Sequence, residues 1–253
     1  MHCVDCVRAA AAATPEPRTA FGGVVTQPGV VTTTIIAVCV VVYLAQLALP
    51  SVTEDFAYSP YLGWSEPWRA LTSAFLHSPQ TFFHILFNMI CLWQLGPYLE
   101  SLLGRLRFIL LYLTCAIAGS AGVLLLAAAP PAGTSPAVAV SAYGSWFTGV
   151  LGASGAVFGL FAALLVLNRH LGRSVAGVGV VILINAAFGF IYSGIAWQAH
   201  LGGFVAGLAG AGVVAATNTP GRRRYAVWGL VGILAVVLAL MAAKYATVAP
   251  PFK

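Results

Sequence analysis

Charge is the scarcest property of this sequence. Of 253 residues only 7% are charged, while 60% are hydrophobic and the mean hydropathy is +0.93. Soluble domains carry about 25% charged residues, so the composition excludes one and points to a polytopic membrane protein. Carboxylates are scarcer still. Asp5, Glu16, Glu54, Asp55, Glu66 and Glu100 are all six, and none follows residue 100. That absence leaves the second half of the chain without an acid to orient a catalytic base. The five cysteines are scattered, without a disulfide framework, and Cys39, Cys91 and Cys115 fall inside apolar runs as small packing residues. No internal repeat is visible, which argues against a transporter built from duplicated halves. No cleavable signal peptide is expected at the start. The net charge of +6 is not read as nucleic-acid binding, because the basic residues sit in short loops between apolar runs.

Long apolar runs are what the chain has in abundance. Seven occur, at about 32–50, 82–99, 106–128, 154–168, 174–192, 197–217 and 225–247, against roughly 20 residues per membrane span. The fold class is therefore all-α, a polytopic bundle of membrane helices. With the N-terminus inside, Arg8, Arg18, Arg105, Arg107, Arg169, Arg173, Arg222, Arg223 and Arg224 are cytoplasmic, and only Arg69, Lys244 and Lys253 are external. Nine against three is a positive-inside bias, and it puts residue 154 near the outer face. Residues 1–31, with Pro15, Pro17, Gly22, Gly23 and Pro28, read as a loose cytoplasmic tail. Its Cys3-Val4-Asp5-Cys6, with His2 poorly placed beside it, resembles the trailing half of a zinc ribbon; two thiolates cannot close a four-ligand site. The 51–81 segment, with Trp64 and Trp68, reads as a structured outer loop in the membrane interface. The 129–150 segment, rich in Pro, Gly, Ser and Ala, reads as a looser one.

Three stretches carry chemistry. Gly152-Ala153-Ser154-Gly155-Ala156-Val157-Phe158-Gly159 opens the short fourth run. Its serine is either part of a small-residue packing face, with Gly155 and Gly159, or a nucleophile surrounded by bare backbone. Trp197-Gln198-Ala199-His200-Leu201-Gly202-Gly203 places a histidine in a glycine-rich apolar helix. Such a histidine is functional, or it is interhelical glue. Gly203 and Gly207 permit close packing on the glycine face of the fourth run, which would bring His200 to Ser154. In the second run His84 and Asn88 are four apart and share a helical face, as two donors to an oxyanion would. His77, just upstream, reads as structural.

Taken together these stretches resemble the rhomboid intramembrane serine proteases. The matching pieces are Gly152-Ala153-Ser154-Gly155, Ala199-His200-x-x-Gly203-x-x-x-Gly207, His84-x-x-x-Asn88, Trp68-Arg69 and Glu100-x-x-x-Gly104. They cover residues 32–217 in the family's order. The resemblance implies a six-helix protease core over 32–217, flanked by the 1–31 tail with its zinc-ribbon remnant. Residues 218–253 then add a basic loop, a seventh helix and a short external tail. It also implies that Ser154 attacks the scissile carbonyl and His200 acts as base, without a third acidic member. The backbone N–H of Ser154 and the side chains of His84 and Asn88 would hold the oxyanion. Phe158, often tyrosine in the family, would stack on His200. Glu100 and Arg69 are assigned to structure. The expected substrates are single-span membrane proteins in the lipid bilayer, with no metal, organic cofactor or nucleic acid. The location would be the cell membrane, multi-pass, with the N-terminus cytoplasmic and the C-terminus external. The competing readings are a catalytically inactive relative that binds membrane proteins, and a transporter using His and Asn as a polar pathway.

Overall fold

The computed structural model describes residues 3–6, 8, 17–191, 196–219 and 221–248, with backbone alone for 185–191. His2, the expected end of the fifth run at 192 and Lys253 lie outside them. Among the described residues seven long helices form the bundle: α1 Val30–Ala48, α2 Phe82–Leu103, α3 Arg105–Leu126, α4 Ser154–His170, α5 Ala176–Ile191, α6 Trp197–Ala216 and α7 Tyr225–Thr247. The chain is an all-α polytopic bundle. Among the described residues β-structure is limited to two isolated bridges, Arg18 with Val24 and Tyr58 with Val150. α1, α2, α3, α6 and α7 are long and apolar enough to cross a membrane, and α4 is a shorter apolar helix.

A bilayer offers no water to exposed backbone, so helices that satisfy themselves are the elements an apolar chain can form there. Breaks fall where backbone chemistry demands them. Gly29, with φ 86, precedes α1, and Gly104, with φ 77, separates α2 from α3. α2 runs four residues beyond the expected 99 because Pro97 is accommodated inside it.

α4 is central. Nearly every side chain from Gly155 to Leu164 is buried, and α6, α3 and α2 pack around it. α7 lies outside, on α3 and α6. Its far end is anchored by Tyr245, whose hydroxyl donates to the Pro60 carbonyl at 3.0 Å and lies 3.0 Å from the Tyr58 hydroxyl.

Two features exceed what the sequence discloses, and a third, the bracing of the 51–81 loop, is as expected. Residues 17–25 are a folded turn rather than loose tail: Phe21 is buried, its N–H donates to the Leu102 carbonyl at 3.2 Å, and Arg18 bridges Val24. The 129–150 loop forms short helices at Pro136–Ala142 and Gly144–Phe147, fastened by a buried Trp146 and by Val150 paired with Tyr58. The 51–81 loop is braced by the buried Arg69. Its Nε meets Glu66 Oε2 at 2.5 Å, and its Nη1 donates to the carbonyls of Glu54 and Ala57 at 2.6 and 3.0 Å. Trp68 is exposed beside it.

Glu100 is buried at the α1–α2 contact, where Thr32 packs on Gly96. Its oxygens accept from the N–H groups of Val31 and Thr32, at 3.2 and 3.3 Å, and from the Thr32 hydroxyl. These are first-turn donors of α1 with no intrahelical acceptor, and the carboxylate sits at the positive end of that helix. Glu100→Ala strands both donors, at a cost of about 1–3 kcal/mol for each buried unsatisfied group. Thermal unfolding in detergent should show a markedly lowered midpoint. An unchanged midpoint would remove Glu100 from the support of α1.

Candidate active site

Ser154 is the first residue of α4, so its backbone N–H and those of Gly155 and Ala156 have no acceptor within the helix. The first intrahelical bond starts from Val157, to Ala153 at 3.0 Å. The serine therefore stands at the positive end of a helix that protein encloses. Its Oγ lies 2.9 Å from His200 Nε2 on α6. That is hydrogen-bond reach for transfer of the hydroxyl proton as the oxygen attacks a carbonyl. The imidazole lies flat on Phe158, with ring centroids 4.2 Å apart and planes at 9°.

A glycine seam makes this approach possible. A Cβ on Gly203 would stand 1.9 Å from the Gly155 carbonyl oxygen, and one on Gly207 would stand 2.1 Å from that of Gly159. Backbones this close require glycine on the facing helix. α3 joins the same seam, since a Cβ on Gly122 would lie 2.3 Å from the Gln198 carbonyl. The small-residue run Ala118-Gly119-Ser120-Ala121-Gly122 is the sequence signal for that third helix's place in the seam, which hydropathy alone does not pick out.

His84 sits on the other side of the serine. The Ser78 N–H donates to its Nδ1 at 3.2 Å. Nδ1 is thus the acceptor, and in the neutral ring the proton is on Nε2. That Nε2 faces Gly152: a Cβ there would be 2.7 Å from it and 3.7 Å from Ser154 Oγ. Gly152 also has φ 130 and donates its N–H to the Ser73 carbonyl at 2.9 Å. The bare backbone therefore leaves a space bounded by a hydroxyl and an N–H donor. Asn88, one turn along α2, is buried, and its Nδ2 donates to the His84 carbonyl at 2.8 Å. An amide has two N–H bonds, so one remains for another acceptor.

The structure brings Ser154, His200, Phe158 and His84 to one place, with Asn88 beneath His84. Glu100 and Gly104 lie away from it, at the α2–α3 junction. His77, fully buried, has its ring 5.3 Å from that of His84. Burial, with His84 beside it, pushes its pKa down to about 3. Among the described residues no carboxylate forms an ion pair or hydrogen bond with His200. No group of three or more His, Cys, Asp or Glu side chains able to hold a metal occurs among them either. Two contributors left no sequence signal: the Ser73 carbonyl that holds Gly152, and the Tyr58–Val150 pairing just before it.

The chain is similar to known proteins. The Rhomboid domain family matches residues 65–217. The rhomboid protease GluP of Bacillus subtilis is 35% identical over 147 residues, which are 56% of this chain and 25% of that protein. The rhomboid protease GlpG of Yersinia pestis is 28% identical over 189 residues, 72% of this chain and 62% of that protein. The chain thus spans a quarter of one relative and under two thirds of the other.

Proposed function

Since the chain belongs to the rhomboid family, we propose that it is an intramembrane serine endopeptidase cutting single-span membrane proteins near the outer membrane face. The observation that carries this reading is the Ser154–His200 contact at 2.9 Å, held by the stack on Phe158 inside a helix bundle. In the first step Ser154 Oγ attacks the scissile carbonyl while His200 Nε2 takes its proton. The imidazolium then gives that proton to the leaving amine, and water, deprotonated by the same ring, releases the acyl group. Ser154 and His200 act as a dyad, with the ring placed by aromatic stacking in place of a carboxylate. An unaided imidazole stabilises its cation less well, so turnover is slow for a serine protease. The mechanism draws on no metal or organic cofactor. The intact pair disfavours an inactive, purely binding relative.

Three donors suit the developing oxyanion: the N–H of Ser154 at the α4 terminus, His84 Nε2–H and the second Asn88 N–H. Asn88→Ala and His84→Ala should each lower turnover of a reconstituted single-span substrate by about 10²–10³, with little change in KM. Normal turnover in either variant would return that residue to a packing role.

α4 has 17 residues and measures about 25 Å, against roughly 30 Å of hydrocarbon. Its start therefore lies below the outer surface, in a depression that admits water. Outward placement rests on the arginines gathered at the opposite end. An impermeant thiol reagent applied outside should modify Asp55→Cys and spare Arg222→Cys in a background without native cysteines. The reverse pattern would put the site on the other face.

A further inference from the structure

We propose that the bundle end opposite Ser154 holds a site for a phosphate group, built on Arg107 and Arg223 and filled by an anionic phospholipid. Arg107 lies in the first turn of α3 and only 7% of its surface is exposed. Its Nη2 donates to the Arg223 carbonyl at 2.9 Å, while its Nε is buried with no partner among the described residues. Arg223 is braced as well. Its Nε donates to Asn218 Oδ1 at 3.1 Å, and its stem lies against Gly22, where a Cβ would stand 2.4 Å from the Arg223 Cδ. Each guanidinium is thereby held by a neutral partner, and that of Arg107 is tied to the backbone of Arg223.

Among the described residues, arginine dominates the charge at this end. Arg18 and Arg223 both lie close enough to add positive charge beside Arg107. The first turn of α3 contains no acid, although a helix start favours anions there. The carboxylate at this junction, Glu100, serves the N–H groups of α1 and lies 3.7 Å from Arg105. Arg107 and Arg223 form no ion pair among the described residues. A nine-tenths buried cation in such a field is costly without a counter-anion. Paired guanidinium forks beside a helix N-terminus match the oxygens of a phosphate. The ends of membrane-crossing helices lie at the level of lipid headgroups, which makes an anionic phospholipid the natural source. The excess positive charge repels the choline of a zwitterionic lipid.

The test is thermal unfolding of the full chain in neutral detergent, with short-chain phosphatidylglycerol, phosphatidylcholine of equal chain length, or inorganic phosphate at equal concentration. Phosphatidylglycerol should raise the midpoint by several degrees and phosphatidylcholine should not. Arg223→Gln should lose most of that shift. Arg224→Gln removes the same charge from an exposed neighbour lying on the Tyr225 ring and should keep it. A shift equally large with inorganic phosphate would support the phosphate site and assign its supply to the soluble anion. Equal responses to the two lipids, or equal losses in Arg223→Gln and Arg224→Gln, would overturn a built site in favour of diffuse surface charge. Neither arginine enters the proposed chemistry, so this outcome stands apart from that of the protease reading.

Discussion

Ser154→Ala should reduce cleavage of a reconstituted single-span substrate to the uncatalysed background, and His200→Ala should do the same. The two groups act as one unit, since the hydroxyl is a poor nucleophile until the imidazole 2.9 Å away accepts its proton. In a soluble serine protease, losing the serine or the histidine costs on the order of 10⁶ in turnover. The double variant should therefore be no worse than either single one. Glu54→Gln, Asp55→Asn and Glu66→Gln should retain most activity, because Glu66 is committed to Arg69 and the Glu54 contact to Arg69 is through its carbonyl. Gel-based cleavage in vesicles, alongside a folding control for each variant, reads all of these. Loss of activity in one folded carboxylate variant would reveal a third member and contradict the dyad.

Gly203→Ala should damage both stability and activity, whereas Gly212→Ala on the same helix should harm neither. The substitution is chemically identical at the two sites, and propensity favours alanine over glycine in a helix by about 1 kcal/mol. What differs is the space. A Cβ at 203 would stand 1.9 Å from the Gly155 oxygen, whereas a Cβ at 212 meets nothing within 4 Å. The first atom struck is backbone, which cannot rotate away, so α6 must retreat from α4. Overpacking costs about 1–3 kcal/mol where side chains can adjust, and the seam leaves no such adjustment. Separation of the helices also lengthens the Ser154–His200 contact, so activity should fall further than stability alone explains. Equal midpoints for the two variants would mean that the seam is more yielding than its geometry indicates.

How much of this was readable beforehand follows the physics of each part. A membrane helix satisfies its own backbone, so hydropathy marks the described bounds of the seven long helices to within about four residues, and five of these are long and apolar enough to cross a membrane. His84, Asn88, Ser154 and His200 were legible because polar side chains in apolar helices are conspicuous. The loops resisted reading because their order is set by partners far away in sequence. Tyr58 pairs with Val150 and Tyr245, Phe21 with Leu102, and Gly152 with the Ser73 carbonyl. No local periodicity signals such pairings. The commitment of the Asn88 amide to the His84 carbonyl is local, four residues back on the same helix, but it depends on a side-chain rotamer that sequence does not specify.

Covalent labelling tests the central claim, a serine activated by one histidine, without requiring the natural substrate. The folded protein in detergent is treated with a fluorophosphonate, digested and sequenced by mass spectrometry. One phosphonyl group should appear on the peptide that contains Ser154. It should be lost in Ser154→Ala and nearly lost in His200→Ala, and it should persist in Glu66→Gln. No adduct on the folded wild-type chain, or an adduct at Ser154 that forms equally well without His200, would contradict it.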